Sequence, residues 1–286
     1  MSKSFHVQTC AAFAMGSALP GSTRAHGPDE PPHQRFDMDD LKSESDEVIR
    51  DFSLSFVIHG TLNADKSNAI PMQALQHAVS YPDMTASIVP IIPLGRTPSW
   101  TTGVLEMIRQ GIMFDPKRAG GNYAVDAPPE QGMRLWAGWL SGVITRTPVL
   151  QDSLDPRSQD AIGFIKGVED AGCKRMDAND LVYQSWAYGA HDLGASPDFN
   201  GDYHRAPKSI KAGTLILAGT GDLLNPEYEA MEAGRYIGDV RYLSINATRP
   251  MGHGSGAGIS AAENEMQNRE ISSFLTPVAA QLQSGK

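Results

Sequence analysis

This chain is short of cysteine, of net positive charge and of long apolar runs. Its two cysteines are Cys10 and Cys173, so no disulfide framework can organise it. Cys173 sits in no reactive pattern and reads as an inert helix residue. There are 24 Lys+Arg against 33 Asp+Glu, a net charge of −9, and no basic stripe. That balance argues against a nucleic-acid partner. No apolar stretch approaches the roughly 18 residues a membrane span needs. No internal repeat is visible. His191, Asp192, Asp202 and His204 lie close together in the sequence, but without HExxH-type spacing, and loop solvation is the better reading of them. No metal or cofactor is expected.

What is present is 286 residues of ordinary globular composition, 41% hydrophobic and 20% charged. That is enough for one large domain or for a core plus a lid. The most informative stretch is Thr214 to Gly258. Thr214–Ala218 (TLILA) has the length and composition of a buried strand. Gly219–Gly221 break it and Asp222 follows at once. Asn225-Pro226 then opens a helical pattern with acidic residues in its first turn, where the helix dipole favours them. Val240–Ile245 (VRYLSI) reads as a second strand, and a Gly-rich loop after it carries His253. In a parallel sheet, both side chains land at the carboxyl ends of neighbouring strands, where α/β folds place their sites. A carboxylate there can accept from one imidazole nitrogen and leave the other free as a base. The plainer alternative is that Asp222 caps the following helix and His253 is a solvated loop residue.

Elsewhere, residues 26–48 are rich in Pro, Asp, Glu and Ser and read as an extended, poorly ordered lead-in. Ile49–His59 alternates like a strand exposed on one face. Met72–Val79 is a helix behind Pro71. Ala86–Leu94 is a buried strand whose centre is weakened by Pro90 and Pro93. Ser99 can cap a helix reaching Met113. Helical patterns follow at Met133–Ile144, Ser158–Ala171 and Asp177–Tyr188, so 95–205 reads as a mainly helical lid between core segments 49–94 and 206–286. Trp136, Trp139 and Trp186 fall in it, packing residues by default and pocket-lining ones otherwise. Ala261–Leu282 is a closing helix.

Several of these segments resemble the homoserine O-acetyltransferases and the α/β-hydrolases related to them. They are His59–Ile70 (HGTLNADKSNAI), Met72–Asp83 (MQALQHAVSYPD), Gly120–Tyr123 (GGNY), Asp177–Gln184 (DANDLVYQ), Asp222–Pro226 (DLLNP) and Thr248–Gly254 (TRPMGHG). The last four are similar to exported members. The resemblance implies an α/β-hydrolase-like fold, mostly parallel, with an inserted helical lid. It implies Asp222 as triad acid and His253 as triad base in an acyl-ester hydrolase or acyltransferase acting on a small-molecule ester, with a homodimer left open. One departure is large. In the family, several strand–helix units, including the nucleophile elbow, separate the segments that meet here at Ile70-Pro71. No Gly-x-Ser-x-Gly occurs anywhere in the sequence. Ser141 in Gly138–Gly142 has the wrong spacing, and Ser255 directly follows the histidine loop. Ser67 lies near where the family serine would fall but lacks flanking glycines, and is the candidate nucleophile. The sheet is therefore expected to lack central strands. It would be assembled from Phe52–Ile58, Ser87–Leu94, Thr214–Ala218 and Val240–Ile245, with loose packing or unfamiliar strand order beneath His253. A catalytically inert relative is the alternative reading.

Lys3, the small-residue apolar run Cys10–Leu19 and the following Ser-Thr-Arg-Ala form a signal-peptide pattern within 1–25, which places the mature protein in the periplasm or outside the cell. Mass spectrometry of native protein should find an N-terminus between about residue 20 and residue 30. An intact Met1 or Ser2 would point to the cytoplasm and to an acetyltransferase.

Overall fold

A computed structural model describes residues 34–37, 40–42, 48–50, 53–56, 74–124, 126–154, 159–173, 176–246, 251–257 and 261–283. The chain divides into two compact units, Met1–Pro71 and Met72–Lys286. Ser67, the 1–25 segment and the whole of His59–Ile70 lie outside the described residues.

In the first unit, β1 (Gln34–Asp37) pairs antiparallel with β4 (Ser53–Phe56), and β2 (Asp40–Lys42) with β3 (Val48–Arg50). The two ladders share one register, as two stretches of a single hairpin would. This corrects two expectations. The lead-in contains strands, and Ser53–Phe56 pairs with Gln34–Asp37 instead of joining the parallel sheet. The physical reason is local. An antiparallel partner a short loop away closes cheaply, whereas a parallel partner needs a long crossover.

In the second unit, β5 (Ser87–Ile88), β6 (Gly213–Gly219) and β7 (Val240–Ile245) form a parallel sheet in that order. The strand order is consecutive, not unfamiliar. β5 is shorter than Ala86–Leu94 because Pro90 interrupts the ladder; pairing resumes only as the single bridge Ile91↔Leu217. Ile92 then turns into the left-handed region with φ 47°, an unusual conformation for a β-branched residue. β6 is buried from Thr214 to Gly219, as a central parallel strand covered on both faces should be. Its alternation assigns the layers. Ile216 and Ala218 pack with Ala74, Leu75, Ala78 and Val79 of α1 (Ala74–Ser80) and with Ala230 and Ala233 of α8 (Glu227–Gly234). Leu215 and Leu217 face the other way, with Val89 and Ile245, under Met266, Ile271, Phe274 and Leu275 of α9 (Ala261–Gln283).

Between β5 and β6 the described residues are mainly helical: α2 (Ser99–Met113), α3 (Glu130–Trp139) continuing through a wide turn at Leu140–Ile144, α4 (Pro148–Leu154), α5 (Gln159–Gly172), α6 (Ala178–Gly189) and the short α7 (Arg205–Lys208). Asp177 caps α6 by accepting from the Asn179 and Asp180 amides. Ser99 is the first residue of α2, not its cap; Pro98 precedes it and no side chain caps that end. A separate core joins Leu105, Ile108 and Ile112 to Met133, Trp136, Leu181 and Val182. It also contains Leu224, so the turn after β6 is packed into the helical layer. A Cβ at Gly132 would lie 2.6 Å from the Gly111 carbonyl oxygen; that glycine lets α2 and α3 approach.

Candidate active site

β6 ends at Gly219, and the chain turns through Gly221 at φ 71°, a left-handed position that glycine enters without steric cost. Asp222 follows, 5% exposed. Its Oδ1 accepts from the Leu224 and Asn225 amides, each at 2.8 Å. Its Oδ2 lies 3.0 Å from His253 Nδ1. His253 sits in the helical turn Gly252–Ala257, beyond β7. Successive parallel strands thus bring together two residues 31 positions apart, as their placement in the sequence suggested.

An ionised carboxylate only accepts, so Nδ1 is the donor in this contact, and in the neutral imidazole Nε2 keeps its lone pair. Nε2 makes no hydrogen bond among the described residues. The His253 side chain is 17% exposed and that of Asp222 fully buried. His253 is therefore not a solvated loop residue. Asp222 does tie down the turn before α8, and orients the imidazole with its other oxygen; α8 itself is preceded by Pro226 at its cap position.

The packing around the pair is tight, which corrects the expectation of a loose region. A Cβ on Gly219 would meet the Gly252 carbonyl oxygen at 2.5 Å, and one on Gly256 would meet Ile92 Cδ1 at 2.6 Å. The Thr147 methyl reaches both turns, 3.0 Å from a Cβ built at Gly221 and 3.2 Å from one built at Gly252. Glycine closes the space that absent strands were expected to leave.

Other candidates take ordinary structural roles. Ser255 is fully buried; its hydroxyl donates to Glu263 Oε1 at 3.1 Å, and its carbonyl accepts from Gln267 Nε2 at 2.9 Å. Burial pushes the Glu263 carboxyl above its ordinary range, partly offset by the Ser255 bond. Ser141 is exposed, in the wide turn after α3. Asp192 accepts from the Gly194 amide, Asp202 accepts from the His204 and Arg205 amides, and His191 Nε2 lies 3.1 Å from the Leu94 carbonyl oxygen. These residues shape their own loops. Trp136 is buried in the helical core, while Trp139 and Trp186 are about half exposed.

Sequence reasoning missed Asn225, Tyr188 and Ile92. Asn225 Nδ2 donates to the Ile92 carbonyl at 2.7 Å, and its Oδ1 accepts from the Tyr188 hydroxyl. The Asn-Pro pair was legible as a helix entry, but nothing near Tyr188 signals a contact 37 positions away.

No family model matches the chain. It is 33% identical over 236 residues to a homoserine O-acetyltransferase of Nostoc punctiforme, across 78% of this chain and 62% of that protein. It is 30% identical over 200 residues to one of Trichormus variabilis (66% and 51%), and 28% identical over 232 residues to one of Chloroherpeton thalassium (79% and 58%). This chain belongs to the homoserine O-acetyltransferase-like α/β-hydrolase family. The fold agrees. The acetyl esterase MekB superposes with a TM-score of 0.76 at 16% identity, covering 88% of this chain and 99% of that one. A homoserine O-acetyltransferase of Bacillus anthracis gives 0.59 at 21%, covering 72% and 57%. The chain spans between about half and three fifths of the length of these curated relatives.

Asp222→Ala should leave the Leu224 and Asn225 amides without their acceptor, at about 1–3 kcal/mol for each buried group. Urea unfolding should show a lower midpoint with an unchanged slope. Asp222→Asn, which keeps an acceptor oxygen, should lose less.

Proposed function

We propose that this chain carries the acid–base half of an acyl-ester hydrolase site. Asp222 orients the imidazole and His253 Nε2 is the general base. The observation that carries the reading is the 3.0 Å contact between a buried carboxylate and Nδ1, with Nε2 making no hydrogen bond among the described residues. In such a site a serine hydroxyl gives its proton to Nε2 and attacks the acyl carbonyl. The imidazolium then protonates the leaving alkoxide, and water repeats the sequence on the acyl-enzyme. Hydrolysis is preferred to acetyl transfer because the chain shows no basic cluster for a coenzyme's phosphates, and because the signal-peptide pattern directs it away from the cytoplasm.

The nucleophile is the open half. Ser67 is the candidate from the sequence. A second reading, an inert relative, is favoured by the absence of Gly-x-Ser-x-Gly from the sequence and by the engagement of Ser255 with Glu263. Removal of a triad serine costs on the order of a million-fold in turnover. We therefore expect slow p-nitrophenyl acetate hydrolysis that His253→Ala barely changes, since a base with no nucleophile has nothing to activate. Fast hydrolysis abolished by both Ser67→Ala and His253→Ala would show that Ser67 completes the site and that the chain is a working esterase.

A further inference from the structure

We infer that the helical layer, through Tyr188 and Asn225, positions the Asp222–His253 pair. The inference rests on the reading of those two residues as an acid–base pair. It concerns what holds them, not what they attack.

The three residues that follow Leu223's neighbour Asp222 are each tied to a helix of the inserted layer. Trp100 Nε1 at the start of α2 donates to the Leu223 carbonyl at 2.6 Å. Thr101 Oγ1 donates to the Leu224 carbonyl at 2.7 Å. The Tyr188 hydroxyl near the end of α6 donates to Asn225 Oδ1. Asn225 is 5% exposed, and both ends of its side-chain amide are engaged. Its backbone amide donates to Asp222 Oδ1 and its Nδ2 to the Ile92 carbonyl. The Tyr188 bond therefore fixes which end of the Asn225 side-chain amide points to the Ile92 carbonyl. That in turn fixes the backbone amide that holds the carboxylate. The histidine turn is anchored to the same layer, where the Thr145 carbonyl accepts from the Gly254 amide at 3.1 Å.

The sheet holds the start of the same turn, where the Thr220 amide donates to the Ile245 carbonyl at 3.3 Å and the Asp222 amide to the Gly219 carbonyl at 3.2 Å; the residues after Asp222 are held by the helical layer. Burial pushes the Tyr188 hydroxyl above its ordinary range; the Asn225 bond opposes this and the Asp222 charge adds to it. The group thus stays a protonated donor at neutral pH. Tyr188 and Asn225 are positioning residues. Neither touches the imidazole through any hydrogen bond among the described residues.

The test is proton NMR of the full chain, following the low-field Nδ1–H resonance assigned to His253 by its loss in His253→Ala. Tyr188→Phe keeps the ring and removes the donor. It should shift that resonance and speed its exchange with water on the order of threefold to tenfold, the effect of one hydrogen bond of ordinary net strength. Trp100→Phe, at a residue 54% exposed and therefore tolerant of change, should act in the same direction. Trp136→Phe alters the buried core of the same layer, to which Leu224 also belongs, but removes no hydrogen bond to the acid turn, because the Trp136 Nε1 has no hydrogen-bond partner among the described residues; it should leave the resonance in place. The inference is overturned if Tyr188→Phe and Trp100→Phe leave the resonance and its exchange unchanged. It is also overturned if Trp136→Phe disturbs them equally, because the effect would then be general loosening. Absence of any His253-dependent resonance in the wild type would overturn the acid–base pair itself.

Discussion

A buried carboxylate has to be satisfied, and the arrangement around this site follows from how Asp222 is. Desolvating an ionised carboxylate without partners is prohibitive; accepting from backbone amides and a ring N–H makes it tolerable. Asp222 receives two amides on one oxygen and the His253 ring on the other. To present those amides, the chain after β6 must make one particular turn, with glycine at 221 to enter it and Asn225 to close it. To present the imidazole, the turn after β7 must come within reach, which requires glycine at 219, 252 and 256. The close approach of two strand ends is thus set by the needs of one side chain.

The central part of the fold was legible from residue type. TLILA between breakers has the length and composition of a covered strand, and its burial is complete. The order strand, acid, helix, strand, histidine located the pair before any contact was known. The acidic first turn of α8, with Glu227 and Glu229, is where the sequence pattern put it. What could not be read was anything decided by distant partners. β5 was recognised, but its early end depended on Pro90 losing a donor toward β6. Ser53–Phe56 alternates in a way that suits any half-covered sheet, so its partner was chosen by loop closure and not by its own residues. The loose region expected beneath His253 did not form, because glycines let neighbouring backbones close in.

The helical layer is more than a cover. Leu224 belongs to its core, and hydrogen bonds from Trp100, Thr101 and Tyr188 reach three successive residues of the acid turn. An insertion between strands has become part of the scaffold of the site. This accounts for a well-formed pair over a sheet whose described part is only three strands wide. The curated relatives that this chain matches are longer proteins.

The central proposal is that Asp222 and His253 form the acid and base of the site and that, with no Gly-x-Ser-x-Gly in the sequence, no serine is activated by them. Fluorophosphonate labelling followed by mass spectrometry of the intact chain tests this most directly, since the probe reports an activated serine whatever the substrate. The account predicts no serine adduct under conditions that saturate a known serine esterase. A stoichiometric adduct on one serine, lost in His253→Ala, would contradict it and identify the nucleophile.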